Sequence, residues 1–572
     1  MKLDNSDVSK ALYEIADYLE LQGVAFKPQA YRKAARNIEM LPGEIADLLN
    51  EDRLGEIPGV GKAIADKITE LMKTGHLEYL EELRAKIPQG VIDLLSIPEI
   101  GPKTAMVLYR QLGIEDVDSL KKAIFEHRLS GLKGFGVKTE ERILRGIRVF
   151  ESRGGRIMLG NAFHSANKLI DYLRSKHADA TVSVAGSLRR MKETIGDIDI
   201  LVATSKPGEI MESFVSYDSV EDILAQGDTK SSVRLINGIQ VDLRAVLESS
   251  YGAALQYFTG SKEHNVELRK LAISKEMKIS EYGLFDRVSD ELVAGADEAE
   301  VYDSLGLQYI PPELRENRGE IEVAMKRELP MLIEYDDLLG DLHCHTEWSD
   351  ASGTIEEILR KASEHGYEYV GITDHSKSLR IARGLSEERL RKQIDVIHSL
   401  REETGGPFLL AGSEVDVLED GKLDYPNEIL EQLDYAIMSI HSKFNLDERS
   451  MTERIVTAMS NDVVKIFAHP TGRIIGQRLP YTFDLEKVIE SAIDQDVALE
   501  INSFPERLDL NDTNVRRAVD AGAKIAIGSD AHDPSQLAYT RFGIATARRG
   551  WAKKSDVMNT LPLDTLRKMW GI

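Results

Sequence analysis

Beyond residue 338 one unit recurs: a helical stretch, a short apolar run, and then a histidine or an acidic residue. The first copy is Asp341-Leu342-His343-Cys344-His345, in which both imidazoles fall on one face of a strand. The later copies follow the runs 369–372, 409–412, 435–440, 464–468, 497–499 and 524–528, and they end in His375, Glu414, His441, His469, Glu500, and Asp530 with His532. Side chains at the C-terminal ends of parallel strands converge on one mouth of a β/α barrel. We therefore predict such a barrel.

A single histidine at a strand end is commonly a core residue. This many polar residues, each at the end of a successive strand, cannot all be core residues. Asp350, in a Trp-Ser-Asp-Ala turn, adds another carboxylate. A mixture of imidazoles and carboxylates suits Zn²⁺, Mn²⁺ or Fe²⁺ better than Mg²⁺ alone. Arg473 lies in a His-Pro-Thr-Gly-Arg stretch, where it could hold a substrate phosphate or lie on the surface. The sequence leaves both readings open.

A second acidic cluster is predicted around Asp197 and Asp199. Both follow the turn at 186–190 and stand at the start of an apolar run with period two, so they should project from one face of a strand. Asp242 lies in another such run, and a neighbouring strand would bring it to the same face. An isolated Asp-x-Asp pair is as readily a solvated edge strand. Three carboxylates beside a Gly-Ser turn and two arginines instead suit two metal ions and a phosphate.

The segment Tyr257-Phe258-Thr259-Gly260-Ser261 follows this cluster in the chain. Its glycine permits an unusual turn that lets an aromatic face lie against a sugar or a base. Asn265 and Arg269, one and two turns further on, share one helical face. Read alone, the segment could equally be a simple loop and helix.

The N-terminal part reads as short helices separated by glycine turns. A motif recurs there three times, at 57–62, 97–103 and 132–138, and each copy runs into a helix and carries a lysine downstream. Its glycines expose backbone N–H groups at a helix N-terminus, which is a site for anions. Packing turns of an all-helical domain are the alternative. The repetition favours helix-hairpin-helix modules that hold nucleic-acid backbones, through Gly59, Gly61, Gly101, Gly134 and Gly136.

Composition sets wider limits. The chain has 572 residues, of which 42% are hydrophobic, so we expect a globular protein of several domains. No long apolar run or signal sequence is evident, and Cys344 is the only cysteine, which fits a reducing cytosol. The formal net charge of -24 argues mildly against nucleic-acid binding. Local basic faces can nevertheless coexist with an acidic whole.

With these motifs together, residues up to about 312 resemble the family X DNA polymerases, the family of DNA polymerase beta. The resemblance implies that Asp197, Asp199 and Asp242 are catalytic ligands of Mg²⁺ or Mn²⁺. It implies nucleotide-binding roles for Ser187, Arg190, Tyr257, Phe258, Gly260, Asn265 and Arg269. It also implies gapped or primed DNA and dNTPs as substrates, 5′-phosphate contacts from Lys27 and Tyr31, and a monovalent cation at the helix-hairpin-helix motifs.

The chain departs from the family pattern at several positions. Gln240 stands where the animal enzyme carries an arginine near the third acid, which removes a positive charge close to the primer terminus and predicts lower activity. Lys262 replaces an acidic residue beside the nucleotide. Lys67 falls at the position of the family's lyase nucleophile, which forms a Schiff base. Because Phe26 replaces a phosphate-binding histidine, Lys67 could also be only a solvated lysine on a helix.

From about residue 339 the chain resembles the PHP (polymerase and histidinol phosphatase) family, a distorted seven-stranded barrel that holds up to three metal ions. The resemblance implies Mn²⁺ or Zn²⁺ and nine ligands: His343, His345, Asp350, His375, Glu414, His441, His469, Asp530 and His532. The set is complete, which favours an active phosphoesterase. On a polymerase, its substrate would be the DNA 3′ end, so we expect a 3′-5′ exonuclease, with AP endonuclease and 3′-phosphatase as further activities.

The expected architecture is multidomain: an all-α helix-hairpin-helix region, an α+β nucleotidyltransferase palm and a C-terminal distorted (β/α)7 PHP barrel. The expected boundaries are 1–90 for a helical DNA-binding (8-kDa-like) domain, 91–155 for a fingers-like domain, 156–250 for the palm, 251–315 for a thumb-like domain, 316–338 for a linker and 339–572 for the barrel.

The leading functional hypothesis is a bacterial, cytoplasmic repair polymerase that fills short gaps during base excision repair. We expect a monomer that makes no contact with a membrane. Two alternatives remain: a small-molecule nucleotidyltransferase fused to a phosphatase, and a DNA-binding repair nuclease or phosphatase whose polymerase centre is weak or vestigial. The glycine-turn repeats and the segment at 257–261 argue against the first.

Overall fold

The structure is a computed structural model that describes residues 5–39, 45–97, 100–129, 132, 135–152, 156–403 and 405–572. The chain forms two compact units. Residues 1–155 form the first together with 236–238 and 474–479, and the remaining residues form the second. Among the described helices, none combines the length and apolar character that a membrane-spanning segment needs.

The first unit is helical, as predicted. Glycines at φ +70° and +65°, Gly75 and Gly113, end its fourth and seventh helices in the left-handed conformation that favours glycine. The helices enclose one core with fully buried side chains such as Ile15 and Leu108. They are α1 (Asn5–Leu21), α2 (Lys27–Glu39), α3 (Ile45–Asn50), α4 (Lys62–Thr74), α5 (Glu78–Arg84), α6 (Gln89–Asp93), α7 (Pro102–Leu112), α8 (Val117–Phe125) and α9 (Val137–Ser152).

The second unit begins with an α+β region built on a five-stranded sheet of order β2-β4-β7-β6-β5. Alternating apolar residues put one face of this sheet into the core, so β7 buries Val241, Leu243 and Ala245. The elements are β1 (Ile157–Met158), α10 (Leu159–Lys176), β2 (Thr181–Val184), α11 (Gly186–Arg189), β3 (Thr194–Ile195), β4 (Ile198–Ala203), α12 (Pro207–Val215), β5 (Val220–Gln226), β6 (Lys230–Leu235) and β7 (Gln240–Val246).

A smaller α+β region follows, with a three-stranded antiparallel sheet. Its elements are α13 (Tyr251–Thr259), α14 (Lys262–Ser274), β8 (Met277–Ser280), β9 (Gly283–Asp286), β10 (Leu292–Ala294), α15 (Glu298–Ser304) and α16 (Glu320–Met325). Helix α16 lies in the segment 316–338, which the sequence suggested as a linker. Its Ile321 and Ala324 are buried in the core of this region, so the segment is packed there.

The C-terminal region is the expected parallel barrel. Seven strands pair in sequence order, because each short apolar strand is followed by a helix that returns the chain to the same edge. The elements are β11 (Gly340–Cys344), α17 (Ile355–Glu364), β12 (Tyr369–Ile372), α18 (Glu387–Glu403), β13 (Phe408–Asp416), α19 (Asn427–Leu430), β14 (Tyr435–Ser439), α20 (Glu448–Met459), β15 (Val464–Phe467), α21 (Leu485–Asp494), β16 (Ala498–Asn502), α22 (Asp512–Ala521), β17 (Ile525–Gly528), α23 (Thr540–Arg549) and α24 (Leu563–Trp570).

The first and last strands of this barrel meet just beyond β17. Asp530 donates its backbone N–H to the carbonyl of His343 at 2.9 Å, and His345 donates its own to the carbonyl of Ala531 at 2.8 Å. Shifts of register within the β11–β12 and β14–β15 pairs distort the barrel. The prediction of a distorted (β/α)7 barrel is confirmed.

Candidate active sites

The acidic cluster of the palm lies where β4 and β7 run side by side. Asp199 and Asp242 are direct partners across these parallel strands, and Asp197 immediately precedes β4. Asp197 and Asp199 line a cleft of about 420 Å³ together with residues of α11, α13 and α14. The sequence therefore located the cluster correctly, although only Asp199 of the pair is in the strand itself.

Asp199 is the most perturbed member of this cluster. Burial, followed by the charges of Asp197 and Asp242, raises its pKa to about 7. Crowded carboxylates of this kind ionise together only when cations lie between them. The arrangement therefore fits divalent metal ions, for which carboxylate oxygens are suitable ligands.

Gly186 shapes the wall of the cleft. Its φ is +59°, and a Cβ built on it would lie 2.0 Å from Oδ2 of Asp199. The chain then turns into α11, a four-residue helix that places Ser187 and Arg190 on the cleft. Arg156, which the sequence analysis did not single out, also lines the cleft, and its guanidinium is bonded to Thr194. No local motif marks it, because α10, β2, α11 and β3 lie between it and the acidic cluster in the chain.

Asp242 has polar neighbours of its own: Gln240, Lys230 and Ser232. The side-chain amide of Gln240 donates to it at 2.9 Å, and the ammonium of Lys230 on β6 lies 3.3 Å away. Burial favours the protonated acid, but hydrogen bonds from Gln240 and Ser232 and the charge of Lys230 outweigh it and lower the pKa of Asp242. The lower activity expected from Gln240 stays a prediction, and Lys230 places a cation beside the third acid from the adjacent strand.

The aromatic segment lines the same cleft, as expected. The rings of Tyr257 and Phe258 are 5.1 Å apart, and Gly260, at φ +69°, ends α13. Asn265 donates to the carbonyl of Tyr257 at 2.7 Å, which fixes its side chain. Lys262 and the exposed Arg269 complete this wall on α14.

In the helical unit, the glycine turns stand at helix N-termini. Gly61 and Gly101 are the N-caps of α4 and α7, and Gly136 immediately precedes α9. Gly59 has φ +88°, and a Cβ on it would lie 3.0 Å from Cγ of Lys33. The backbone N–H groups at these helix starts are available to an anion. Gly134 lies outside the described residues.

The proposed 5′-phosphate and lyase positions occupy α2 and α4. Lys27 opens α2, whereas the Tyr31 ring is buried, which raises its pKa to about 12. Phe26 is 88% exposed. The ammonium of Lys67 lies 4.6 Å from the centroid of the Tyr79 ring. The lyase role of Lys67 stays a prediction.

The barrel mouth gathers the histidines and acids of the strand ends. Among the residues that the structure describes, ligand-type atoms within 4.8 Å of one another form three groups that could each hold a metal ion. His345 and His375 each belong to two groups, so the groups adjoin. The groups are His345, Asp350, His375 and His532; His343, His345 and Asp530; and His375, Glu414 and His441. His469 joins them through Glu414, 2.9 Å away.

Glu414 lies at the centre of this cluster. Its carboxylate oxygens are 2.6 Å from Nδ1 of His375, 2.9 Å from Nε2 of His469 and 3.4 Å from Nε2 of His441. Burial opposes its charge, but His375 and His441 prevail and hold its pKa well below the usual value. For His375 the same carboxylate overcomes burial and raises the pKa to about 9.

Two further carboxylates orient the imidazoles. His343 Nδ1 lies 2.6 Å from Glu500, and His441 Nδ1 lies 3.0 Å from Asp416. An Nδ1–H donated to a carboxylate leaves Nε2 as a lone-pair ligand, which is the arrangement of metal-bound histidines. The sequence placed Glu500 after its strand, whereas it lies within β16. It missed Asp416, although that residue follows Glu414 at the spacing that shares a strand face.

Arg473, the remaining candidate residue of the barrel, is bonded to other parts of the protein. Its guanidinium is buried and donates to Glu193 at 2.7 Å and to the carbonyls of Arg507 and Leu508 at 2.9 and 2.6 Å. It therefore joins the barrel to the palm, and it is not on the surface. Arg507, which the sequence analysis did not single out, lies 3.6 Å from Asp530.

Comparison with known proteins gives matches along the whole chain. Residues 3–77 match the helix-hairpin-helix domain, 91–148 the SAM-like helix-hairpin-helix tandem, 254–316 the DNA polymerase beta thumb and 341–503 the PHP domain. The chain is 37% identical to the DNA polymerase/3′-5′ exonuclease PolX of Bacillus subtilis (strain 168) over 564 residues, 98% of each protein.

Two other relatives each resemble one part of the chain. A probable phosphatase of Thermoanaerobacter sp. (strain X514) is 34% identical over 234 residues, which are 39% of this chain and 91% of that protein. DNA polymerase lambda of Rattus norvegicus is 26% identical over 344 residues, 54% of this chain and 56% of that protein.

Proposed function

Because the chain belongs to the bacterial PolX family, we propose that it is a repair enzyme with two centres, a DNA polymerase in the palm and a 3′-5′ exonuclease in the barrel. The observation that carries the proposal is the presence, in one chain, of an acidic palm cluster and of adjoining histidine and carboxylate groups at the barrel mouth that could hold metal ions. A vestigial polymerase would not be expected to keep the carboxylates crowded in this way.

In the palm, Asp197, Asp199 and Asp242 would hold Mg²⁺ or Mn²⁺. When bound, such ions would supply a lower pKa for the primer 3′-hydroxyl and neutralise charge on the transferred phosphoryl group. The chain's own residues hold the nucleotide: Ser187 and Arg190 contact the triphosphate, and Tyr257, Phe258 and Gly260 contact the sugar. Asn265 and Arg269 face the base pair from the minor groove.

Gapped or primed DNA is the partner that we propose for the helical unit. Gly59, Gly61, Gly101, Gly134 and Gly136 would present backbone N–H groups to DNA phosphates, with a monovalent cation at these motifs. Lys27 and Tyr31 would contact a 5′-phosphate. The phenol ring of Tyr31 is buried, so it contributes only if its hydroxyl reaches the surface. We propose a monomer that acts in the bacterial cytoplasm.

In the barrel, His343, His345, Asp350, His375, Glu414, His441, His469, Asp530 and His532 would hold up to three Mn²⁺ or Zn²⁺ ions. When bound, such ions would supply Lewis-acid chemistry toward water and a phosphate. Glu500 and Asp416 fix the imidazoles of His343 and His441 so that their Nε2 atoms face the site. We propose the DNA 3′ end as substrate, with abasic sites and 3′-phosphates as further ones.

The test is an assay of both reactions on one-nucleotide-gapped DNA with Mg²⁺ or Mn²⁺. We expect nucleotide addition and removal of mismatched 3′ ends. Asp197→Ala should abolish addition and leave removal, and His343→Ala should do the reverse. Absence of any incorporation would refute the polymerase, and nuclease activity that persists in His343→Ala would refute the barrel assignment.

A further inference from the structure

Glu316, the last residue of the stretch that matches the thumb, lies between cations from two regions of the second unit. Its Oε1 is 3.0 Å from Nε of Arg190 and 3.1 Å from Nη1 of Arg549, and its Oε2 is 3.6 Å from the ammonium of Lys192. Arg190 and Lys192 belong to the palm, whereas Arg549 ends helix α23 of the barrel. One carboxylate thus joins the two regions.

This contact is buried and continues on the barrel side. The side chains of Arg549, Glu316 and Arg190 are 4%, 11% and 12% exposed. Arg549 also donates to Asp512 of α22 at 2.7 Å, and Asp512 accepts from Arg318 at 3.2 Å. Cations and carboxylates therefore alternate along this cluster, which consists of Arg190, Glu316, Arg549, Asp512 and Arg318. Each carboxylate neutralises the cations on either side of it. Charge-assisted hydrogen bonds of this kind are stronger than neutral ones, and screening by salt is weak where the groups are buried.

The cluster fixes Arg190 from three directions. Its Nε is bonded to Glu316, its Nη1 donates to the carbonyl of Thr259, and its own carbonyl accepts from Arg549 at 2.7 Å. Among the described residues, no protein acceptor takes a hydrogen bond from its Nη2. Arg190 lines the cleft, so this remaining nitrogen is the part of the guanidinium that is left for a ligand.

We propose that Glu316 and Arg549 are positioning residues for the nucleotide triphosphate, and that a residue of the nuclease barrel thereby sets the nucleotide affinity of the polymerase cleft. The inference rests on the proposed polymerase function. Without Glu316, the arginines and Lys192 would repel one another, and Arg190 would lose the acceptor that orients its guanidinium. A preorganised guanidinium loses less freedom when it binds a phosphate.

A competing role is that Glu316 blocks Arg190 and must release it before a nucleotide binds. The geometry disfavours this role, because the carboxylate is held by Arg549 and Lys192 as well and occupies only the Nε edge of Arg190. The two roles predict opposite changes in affinity when Glu316 is removed. A binding measurement therefore separates them.

The test measures dTTP binding to full-length enzyme on gapped DNA with a template adenine, by isothermal titration calorimetry in Ca²⁺. We expect Glu316→Ala to raise the Kd for dTTP about 10-fold, the effect of one lost charge-assisted hydrogen bond. Glu316→Gln keeps an acceptor and should recover most of the affinity. Arg549→Met should weaken binding in the same direction. Glu322→Ala, on the exposed face of α16, is the matched control.

Non-additivity distinguishes positioning from general destabilisation. In an Arg190→Ala background, Glu316→Ala should cause no further loss of affinity, because the group that it orients is gone. An unchanged or a lower Kd in Glu316→Ala would overturn the inference, and so would an undiminished effect in the Arg190→Ala background. An unaltered enzyme that binds dTTP but does not extend a primer would contradict the polymerase proposal instead.

Discussion

Gly186 and Asp199 lie so close that no side chain fits between them: a Cβ on Gly186 would be 2.0 Å from Oδ2 and 3.0 Å from Cγ of the aspartate. We predict that Gly186→Ala displaces this carboxylate and lowers kcat/KM for nucleotide addition by about 100-fold, since a misplacement of one ångström has effects of that size. Steady-state primer extension measures this. Gly208→Ala, where a Cβ meets no atom within 4 Å, should behave like the unaltered enzyme.

The second prediction concerns the cation beside Asp242. Removing the ammonium in Lys230→Met should reduce nucleotide addition about 10-fold, because Asp242 loses a charged partner 3.3 Å away. Adding Gln240→Arg to this variant should restore most of the activity, since an arginine two residues before Asp242 can take over the contact. Single-turnover rates test the pair. Lys278→Met, an exposed lysine on β8, is the control, and a double variant no better than Lys230→Met would contradict the prediction.

The third prediction concerns the centre of the barrel mouth. Glu414→Gln keeps the shape of the side chain but removes the charge that faces His375, His441 and His469. We expect removal of 3′ ends to fall about 100-fold or more, and the metal content of the purified protein to fall with it. Elemental analysis and a 3′-end assay measure the two effects. Glu431→Gln, which is exposed, should change neither, and full metal content in Glu414→Gln would argue against its role as a ligand.

The fourth prediction concerns stability and pH. Glu298 is buried, and Arg315 and Arg189 outweigh burial and lower its pKa to about 2. A depressed pKa stabilises the fold above the ordinary value of 4.5, and this stabilisation disappears as the pH falls through about 2. The shift corresponds to about 3 kcal/mol near neutral pH.

Glu298→Gln should therefore lower the thermal unfolding midpoint near neutral pH, where it leaves two buried arginines without a carboxylate. The difference from the unaltered protein should narrow below about pH 4.5, because the carboxylate of the unfolded chain then takes up a proton while that of the folded chain stays ionised until about pH 2. A difference that stays constant from about pH 7 to about pH 3 would show that the charge is not responsible.

The sequence predicts the strands of the barrel better than it predicts the contacts of the cluster around Glu316. The strand 369–372 was predicted with the bounds observed for β12, because a short apolar run ending in Thr-Asp-His is a local signal. The strand at 409–412 continues to Asp416, through Ser413 and Glu414, since a strand that lines a metal site carries polar residues inward. Alternation of apolar residues cannot show this continuation.

The contacts of Arg190 could not be predicted from the sequence. Glu316 is 126 residues away along the chain, and Arg549 is 359 residues away. Their approach depends on how helix α23 packs beside the palm, and no spacing in the sequence encodes that packing. The same holds for Lys230, which reaches Asp242 only because β6 and β7 pair antiparallel. Local patterns identified Arg190 and Asp242 and missed the residues that contact them, Glu316, Arg549 and Lys230.

The parallel pairing of β11 to β17 has a further consequence. Consecutive residues of a strand face opposite sides, so a slip of one residue in any strand would turn its ligand away from the mouth. Ligands from separate strands meet only when every strand is in its native register. Metal ions would therefore bind and stabilise only those barrels in which every strand has its native register. Barrels with a shifted strand would lack this stabilisation.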